Sequence, residues 1–184
     1  MRLVIMTVGK THSGKTTFAK SLEKQLPNSV VIDQDHQAEF LNTYYPALLP
    51  KQGPNKIKHA LTQTLVDYAV RETNHHLILC NSNLNRQDRI KWLEYYRNKG
   101  FIRVLVFFDL ADDVLEERVG KSKRSTNIFR MPISYQELLA RQQELMNEES
   151  ANFPREDEAD YLLVIQKPDE VDSVIREIIK LVKG

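Results

Sequence analysis

The sequence predicts an α/β fold, a parallel five-stranded sheet between two layers of helices in a three-layer α/β/α sandwich. Three observations predict it. Apolar runs at residues 3–8, 30–32, 77–80, 102–108 and 161–165 alternate with stretches of helical periodicity, the pattern of parallel strands joined by right-handed crossovers. The run at 102–108 is almost wholly apolar, as a strand covered on both faces has to be. Between the first run and the first helical pattern, Gly9-Lys10-Thr11-His12-Ser13-Gly14-Lys15-Thr16 fits the spacing G-x-x-x-x-G-K-[ST] without a gap.

That glycine-bordered turn is where the chemistry starts. A strand must bend sharply into a helix here, and Gly9 and Gly14 tolerate backbone angles that strain other residues. The free N–H groups of the turn, added to the positive end of the following helix, form an anion site suited to a polyphosphate. Lys15 supplies a mobile cation for the outer phosphates and the Thr16 hydroxyl is placed to ligate Mg²⁺. Residues 9–17, ending at Thr17, are therefore expected to bind a nucleoside triphosphate with magnesium.

Bulk properties set outer bounds. A length of 184 residues is one domain's worth, and residues 1–184 are expected to form a single domain whose core needs neither disulfide nor structural metal. No apolar run approaches the ~18 residues of a membrane span. The first apolar stretch runs into the glycine turn rather than into a signal-peptide pattern, so no membrane partner and a cytoplasmic location are expected. A formal net charge of +1 excludes attraction of nucleic acid by the molecule's overall field, so any polyanion site must be local. The one cysteine, Cys80, lies in a buried-strand pattern and reads as an inert core thiol.

The remaining elements follow in order. Phe18, Leu22 and Leu26 set the first helix, and Val30 to Ile32 a second strand ending in Asp33-Gln34-Asp35. Carboxylates at the carboxyl end of a parallel strand lie where ligands bind, so Asp35 is a candidate general base, with helix capping as its bland alternative. Residues 44–54 hold three prolines and two adjacent tyrosines, an ordered loop. Pro54 is expected to open a long helix burying Ile57, Leu61, Leu65 and Tyr68 or Ala69. A third strand, Leu77 to Cys80, runs into the amide-rich loop Asn81 to Asn85, and a helix with Ile90, Leu93 and Tyr96 inward stops at Gly100.

After the fourth strand, Asp112 begins a helix with Val114, Leu115 and Val119. Arg118, Lys121, Lys123, Arg124 and Arg130 then follow with no acid between them, spaced by small polar residues. A short basic lid over phosphates and a solvated basic loop both fit this composition. Ser134 to Glu137 is a capping box that starts a helix with Leu138, Leu139, Leu145 and Met146. Asp157-Glu158-Ala159-Asp160 spells a helicase signature but no strand precedes it, and it reads as coincidence. Tyr161 to Ile165 is the fifth strand, and Pro168 opens a last helix with Val171, Val174, Ile175, Ile178 and Val182 along one stripe.

With these stretches in hand, the chain resembles the small P-loop kinases of the AAA_33 and zeta-toxin-like group, and within them the kinase domain of bacteriophage-type polynucleotide 5′-hydroxyl kinase. The resemblance rests on Thr7 to Thr17, on Ile32-Asp33-Gln34-Asp35, on Asn83-Leu84-Asn85, and on Arg118 with Lys123-Arg124-Ser125-Thr126 and Pro132-Ile133. It implies a P-loop NTPase fold with strand order 2-3-1-4-5 and a short lid at about 118–132. It also implies ATP and Mg²⁺ as cofactors, Asp35 as base, and lid arginines, Arg124 helped by Arg118, on the ATP phosphates. Two positions depart from the family. Ala38 stands where the family has an arginine that holds a substrate phosphate, and Asn81 stands where it has an aspartate. The expected reaction is transfer of the γ-phosphoryl group from ATP to a hydroxyl, with a polynucleotide 5′ end as one acceptor and a nucleoside, sugar or antibiotic as the alternative. A nucleotide-binding switch or weak ATPase is the reading from a different class.

Overall fold

A computed structural model describes residues 1–129, 131, 133–148 and 152–183. Arg130 and Pro132, named above in the basic segment, lie outside the described residues. The five apolar runs form five parallel strands: β1 (Arg2–Gly9), β2 (Ser29–Asp33), β3 (His76–Cys80), β4 (Phe101–Phe108) and β5 (Tyr161–Ile165), in the order β2-β3-β1-β4-β5. This is the order implied by the resemblance. The central strand β1 is buried from Leu3 to Gly9 and pairs with β4 along its whole length, from Arg2↔Phe101 to Gly9↔Phe108.

Because side chains alternate along a strand, β1 feeds two cores at once. Leu3 and Ile5 pack with Val104 and Val106 against Phe18 and Leu22 of α1 (Lys15–Gln25), Leu115 of α5 (Asp112–Gly120) and Ile175 and Ile178 of α7 (Val171–Lys183). Val4 turns the other way, toward Val66 and Val70 of α3 (Lys56–Glu72) and Tyr96 of α4 (Arg86–Asn98). Met6 and Val8 join Leu93 of α4 and Met146 of α6 (Tyr135–Glu148). The remaining helix, α2 (Gln34–Tyr44), follows β2 at the end of the sheet where the glycine loop lies. Among the described residues, no helix is long and apolar enough to cross a membrane.

Three local expectations need correction. Helix α3 begins at Lys56 behind an Asn55 cap rather than at Pro54, and it buries Thr62, Val66, Ala69 and Val70 while Leu65 and Tyr68 face solvent. Thr62 is tolerated in the buried stripe because its hydroxyl donates to Lys58 O at 3.0 Å within the helix, which meets its hydrogen-bonding need locally. Pro168 opens a short 3-10 turn, Pro168–Glu170, and α7 follows it. In α4 the inward residue at the first turn is Arg89, fully buried, while Ile90 is only half-buried.

Arg89 is buried because it finds every partner it needs. Its Nε and Nη2 donate to the two carboxylate oxygens of Glu158 at 2.7 and 2.9 Å, and Nη1 donates to the Asn83 and Leu84 carbonyls at 2.9 and 3.0 Å. The acidic run at 157–160 is thus an internal tie from α4 to the start of β5. His76, buried in β3, accepts the Leu3 N–H on Nδ1 at 2.9 Å.

Candidate active site

The glycine loop, Asp33 and Asp35, Asn81 with Ser82, and the basic segment from Arg124 meet at the carboxyl ends of β1, β2 and β3, around a cleft of about 710 Å³. The loop between β1 and α1 is shaped by its glycines. Gly9 has φ +151°, and a Cβ there would lie 2.9 Å from Phe108 Cβ and 3.0 Å from Phe108 O, so β4 itself excludes a side chain. Gly14 has φ +101° and caps α1, and His12 between them adopts φ 59°.

The loop is tied down by distant side chains. Lys10 forms an ion pair with Asp112 of α5, and Thr11 N donates to Gln142 Oε1 of α6 at 2.6 Å. Arg118 Nη1 donates to His12 O at 3.1 Å. The His12 ring bridges Thr11 Oγ1 at 3.0 Å and Ser122 Oγ at 2.8 Å, and packs edge-to-face on Tyr135 at 4.7 Å. Burial, with the charges of Arg124, Lys15 and Arg118 adding to it, holds the imidazole below its usual pKa. Lys10, Thr11, His12 and Arg118 therefore brace the loop from α5, α6 and the basic segment.

Lys15 folds back over the loop, where its ammonium donates to Lys10 O at 2.5 Å and Ser13 Oγ at 3.0 Å. Burial of that ammonium pushes its pKa down to about 8, with Arg124 adding to the effect while Asp35 and Asp33 oppose it. Thr16 Oγ1 lies 3.4 Å from Asp33 Oδ2. Asp33 is nearly fully buried, and its other oxygen accepts the Asp35 N–H at 2.9 Å, so Asp33 is the residue that caps α2. Asp35, in the first turn, is left free to face the cleft. A hydroxyl and a carboxylate oxygen side by side are hard donors of the kind Mg²⁺ takes, so Thr16 and Asp33 fit that ion.

The basic segment lies across the same cleft. Arg124 Nη2 donates to Asp35 Oδ2 at 2.7 Å, and its guanidinium sits 5.5 Å from the centre of the Tyr135 ring. Both side chains of this pair are 39% exposed, so solvent screening leaves the contact worth little and easily exchanged. Asn42 of α2 donates to Asn127 O, and the Tyr135 hydroxyl donates to Ser125 O at 2.9 Å. Lys121 by contrast pairs with Glu117 of α5, the helix it caps.

The loop after β3 is mainly structural. Asn83 Nδ2 donates to Thr7 O at 2.8 Å, Ser82 O accepts the Gly9 N–H at 2.9 Å, and Asn85 caps α4. Asn81 and Ser82 line the cleft. Cys80 is buried beneath it, and burial pushes its thiol up to about 12, which keeps it neutral and unreactive. The cleft also includes Lys58 of α3 and Gln142 of α6, which sequence reasoning missed. Gln142 meets Thr11 across a separation of 131 residues, and nothing local in either segment marks the meeting.

Several solved structures share this fold at low sequence identity. The Deinococcus radiodurans tunicamycin resistance protein is 17% identical, with 99% of this chain and 96% of that one covered and a TM-score of 0.60. A shikimate kinase from Bacteroides thetaiotaomicron is 16% identical, with 99% of each chain covered and a TM-score of 0.60. The Mycobacterium tuberculosis APS kinase CysC, in complex with AMPPNP and APS, is 16% identical over 100% of this chain and 98% of that one, with a TM-score of 0.57. No curated protein is significantly similar in sequence. One family model, described as an AAA domain, matches residues 4–145. The chain belongs to this family, AAA_33.

Proposed function

We propose that the protein is a kinase that moves the γ-phosphoryl group of ATP to a hydroxyl of a small molecule. The observation that carries this reading is the convergence on one cleft of groups from separate parts of the chain. Lys15 comes from the glycine loop, the Thr16–Asp33 oxygen pair from α1 and β2, Asp35 from α2, and Arg124 from the basic segment, 2.7 Å from Asp35.

The loop amides from Gly9 to Thr17 and the Lys15 ammonium bind and orient the triphosphate, and Thr16 with Asp33 would hold Mg²⁺. The ion, when bound, neutralises charge on the phosphate oxygens. Asp35 accepts the proton of the acceptor hydroxyl as its oxygen forms the new bond to the γ-phosphorus and the bond from that phosphorus to the β–γ bridging oxygen breaks, leaving ADP. Arg124 must leave Asp35 for this, and its exposed, screened contact allows it to turn to the transferring group, where it offsets the developing charge. Arg118 and Lys10 keep the loop in place.

The shikimate kinase and APS kinase of like fold, and a sugar kinase from Janibacter with a TM-score of 0.57, favour a small hydroxyl compound over a polynucleotide end. The substitution of Ala38 at the position where polynucleotide kinases carry a phosphate-holding arginine points the same way. Incubating the protein with labelled ATP, Mg²⁺ and a panel of hydroxyl compounds tests the proposal. Label is expected on an acceptor, lost in Asp35→Asn. Label released only as inorganic phosphate, at a rate that Asp35→Asn leaves untouched, sinks it in favour of an ATPase or switch.

A further inference from the structure

The acceptor end of the cleft contains a cation that the reaction above does not use. Lys58, in the first turn of α3, lines the cleft together with Asp35, His36, Ala38 and Glu39 of α2. Its side chain is half-buried, and among the described residues its ammonium has neither a hydrogen bond nor an ion pair. Burial lowers its pKa, and the one charge that acts on it from across the cleft is Asp35. Asp35 itself is engaged by Arg124, and Glu39, the other acid of this wall, is exposed. The Lys58 backbone is fixed, because its N–H donates to the Asn55 cap at 3.2 Å and its carbonyl accepts from buried Thr62.

A partly desolvated ammonium without a partner is unfavourable, and an anionic ligand beside it would offset that cost. Ala38, buried on α2 with only a methyl side chain, leaves the space between α2 and Lys58 to the ligand.

Resting on the kinase reading, we propose that Lys58 is an acceptor-binding residue that holds a carboxylate or phosphate group of the acceptor while the acceptor hydroxyl lies at Asp35. The substrates are then hydroxy acids or phosphorylated alcohols rather than neutral polyols. The cation that Ala38 lacks is supplied from a different helix.

Two measurements test this separately from the kinase reading. In the first, ATP turnover is followed with matched acceptors, neutral sugars and polyols against sugar phosphates and hydroxy acids, in wild type, Lys58→Ala and Lys58→Arg. Anionic members are expected to be favoured by about tenfold or more in kcat/KM, with the preference lost in Lys58→Ala through KM and restored in Lys58→Arg. Equal use of neutral and anionic members, or a preference unchanged in Lys58→Ala, overturns the assignment. In the second, lysines are ¹³C-methylated and the Lys58 resonance is identified by its loss in Lys58→Arg. The protein is saturated with a non-hydrolysable ATP analogue and titrated with glycerate, glycerol 3-phosphate and glycerol. The resonance is expected to move with one or both anions and not with glycerol, and which anion moves it separates the carboxylate from the phosphate. If the anions move it while no acceptor is phosphorylated, the Lys58 site stands and the kinase reading falls. If neither anion moves it, the Lys58 assignment falls whatever the turnover shows.

Discussion

Lys15 is held with a pKa of about 8, and triphosphate binding should therefore draw a proton from solvent around that pH. With that value, about three quarters of ligand-free molecules carry a neutral Lys15 at pH 8.5 and about one tenth at pH 7. Phosphate oxygens beside the amine restore the charged form, so uptake is expected to be about 0.7 proton at pH 8.5 and about 0.1 at pH 7. Affinity should fall about fourfold over the same interval. Calorimetric titration with Mg-AMPPNP in Tris and in Bicine, whose ionisation enthalpies differ, reads the uptake directly. His12 titrates below this interval and the Cys80 thiol near 12, so neither contributes. Lys15→Arg, permanently charged, should abolish the uptake if it still binds. The sign carries over to stability without nucleotide. The unfolded chain keeps this proton to about 10.5, so it binds more protons than the folded one between the two values, and the Lys15 contribution to stability rises with pH there. Proton uptake equal at pH 7 and pH 8.5 would refute the claim that burial of this ammonium governs the site.

Three further outcomes are expected. Arg124→Ala should lower turnover by about 10³ or more while leaving nucleotide affinity within a few-fold, as steady-state kinetics and calorimetry together will show; a loss of less than tenfold removes Arg124 from the reaction. Gly9→Ala places a Cβ 2.9 Å from Phe108 Cβ on a backbone that cannot yield, and should cost about 2–4 kcal/mol, read as a drop in the denaturant midpoint. Arg89→Leu leaves the buried Glu158 carboxylate with Arg86 Nε at 3.2 Å as its one charged partner among the described residues and should cost about 3–5 kcal/mol, whereas Arg89→Leu with Glu158→Leu should recover much of the loss; a double variant no better than the single one would show that the ion pair is not what makes the site sensitive.

The parts legible in the sequence were those specified by neighbours along the chain. The glycine loop, the five apolar runs, the Ser134 capping box and the strand-end aspartates are local signals, and each lies where its pattern placed it. Asp33 and Asp35 could be assigned to the cleft, but which of them caps α2 depends on the turn out of β2, and only the geometry separates the cap from the free carboxylate. The buried stripe of α3 was misjudged because Thr62 satisfies its own hydroxyl within the helix, an arrangement a hydrophobicity pattern scores as polar. Lys58 was missed for the complementary reason. At the start of an amphipathic helix a lysine looks solvated, and only the packing of α3 beside α2 brings it into the cleft. The braces from Asp112 and Gln142 to the loop are likewise contacts between segments that share no sequence signal.

The family match stops at residue 145, but the sheet does not. β5 pairs with β4 from Val104↔Tyr161 to Phe108↔Ile165, and Val174, Ile175 and Ile178 cover the core that β1 and α1 begin. An expression fragment trimmed to the matched region would turn β4 into a bare apolar edge with one core face stripped. Such a product should precipitate rather than fold, so protein intended for crystals or assays has to run on through the final helix.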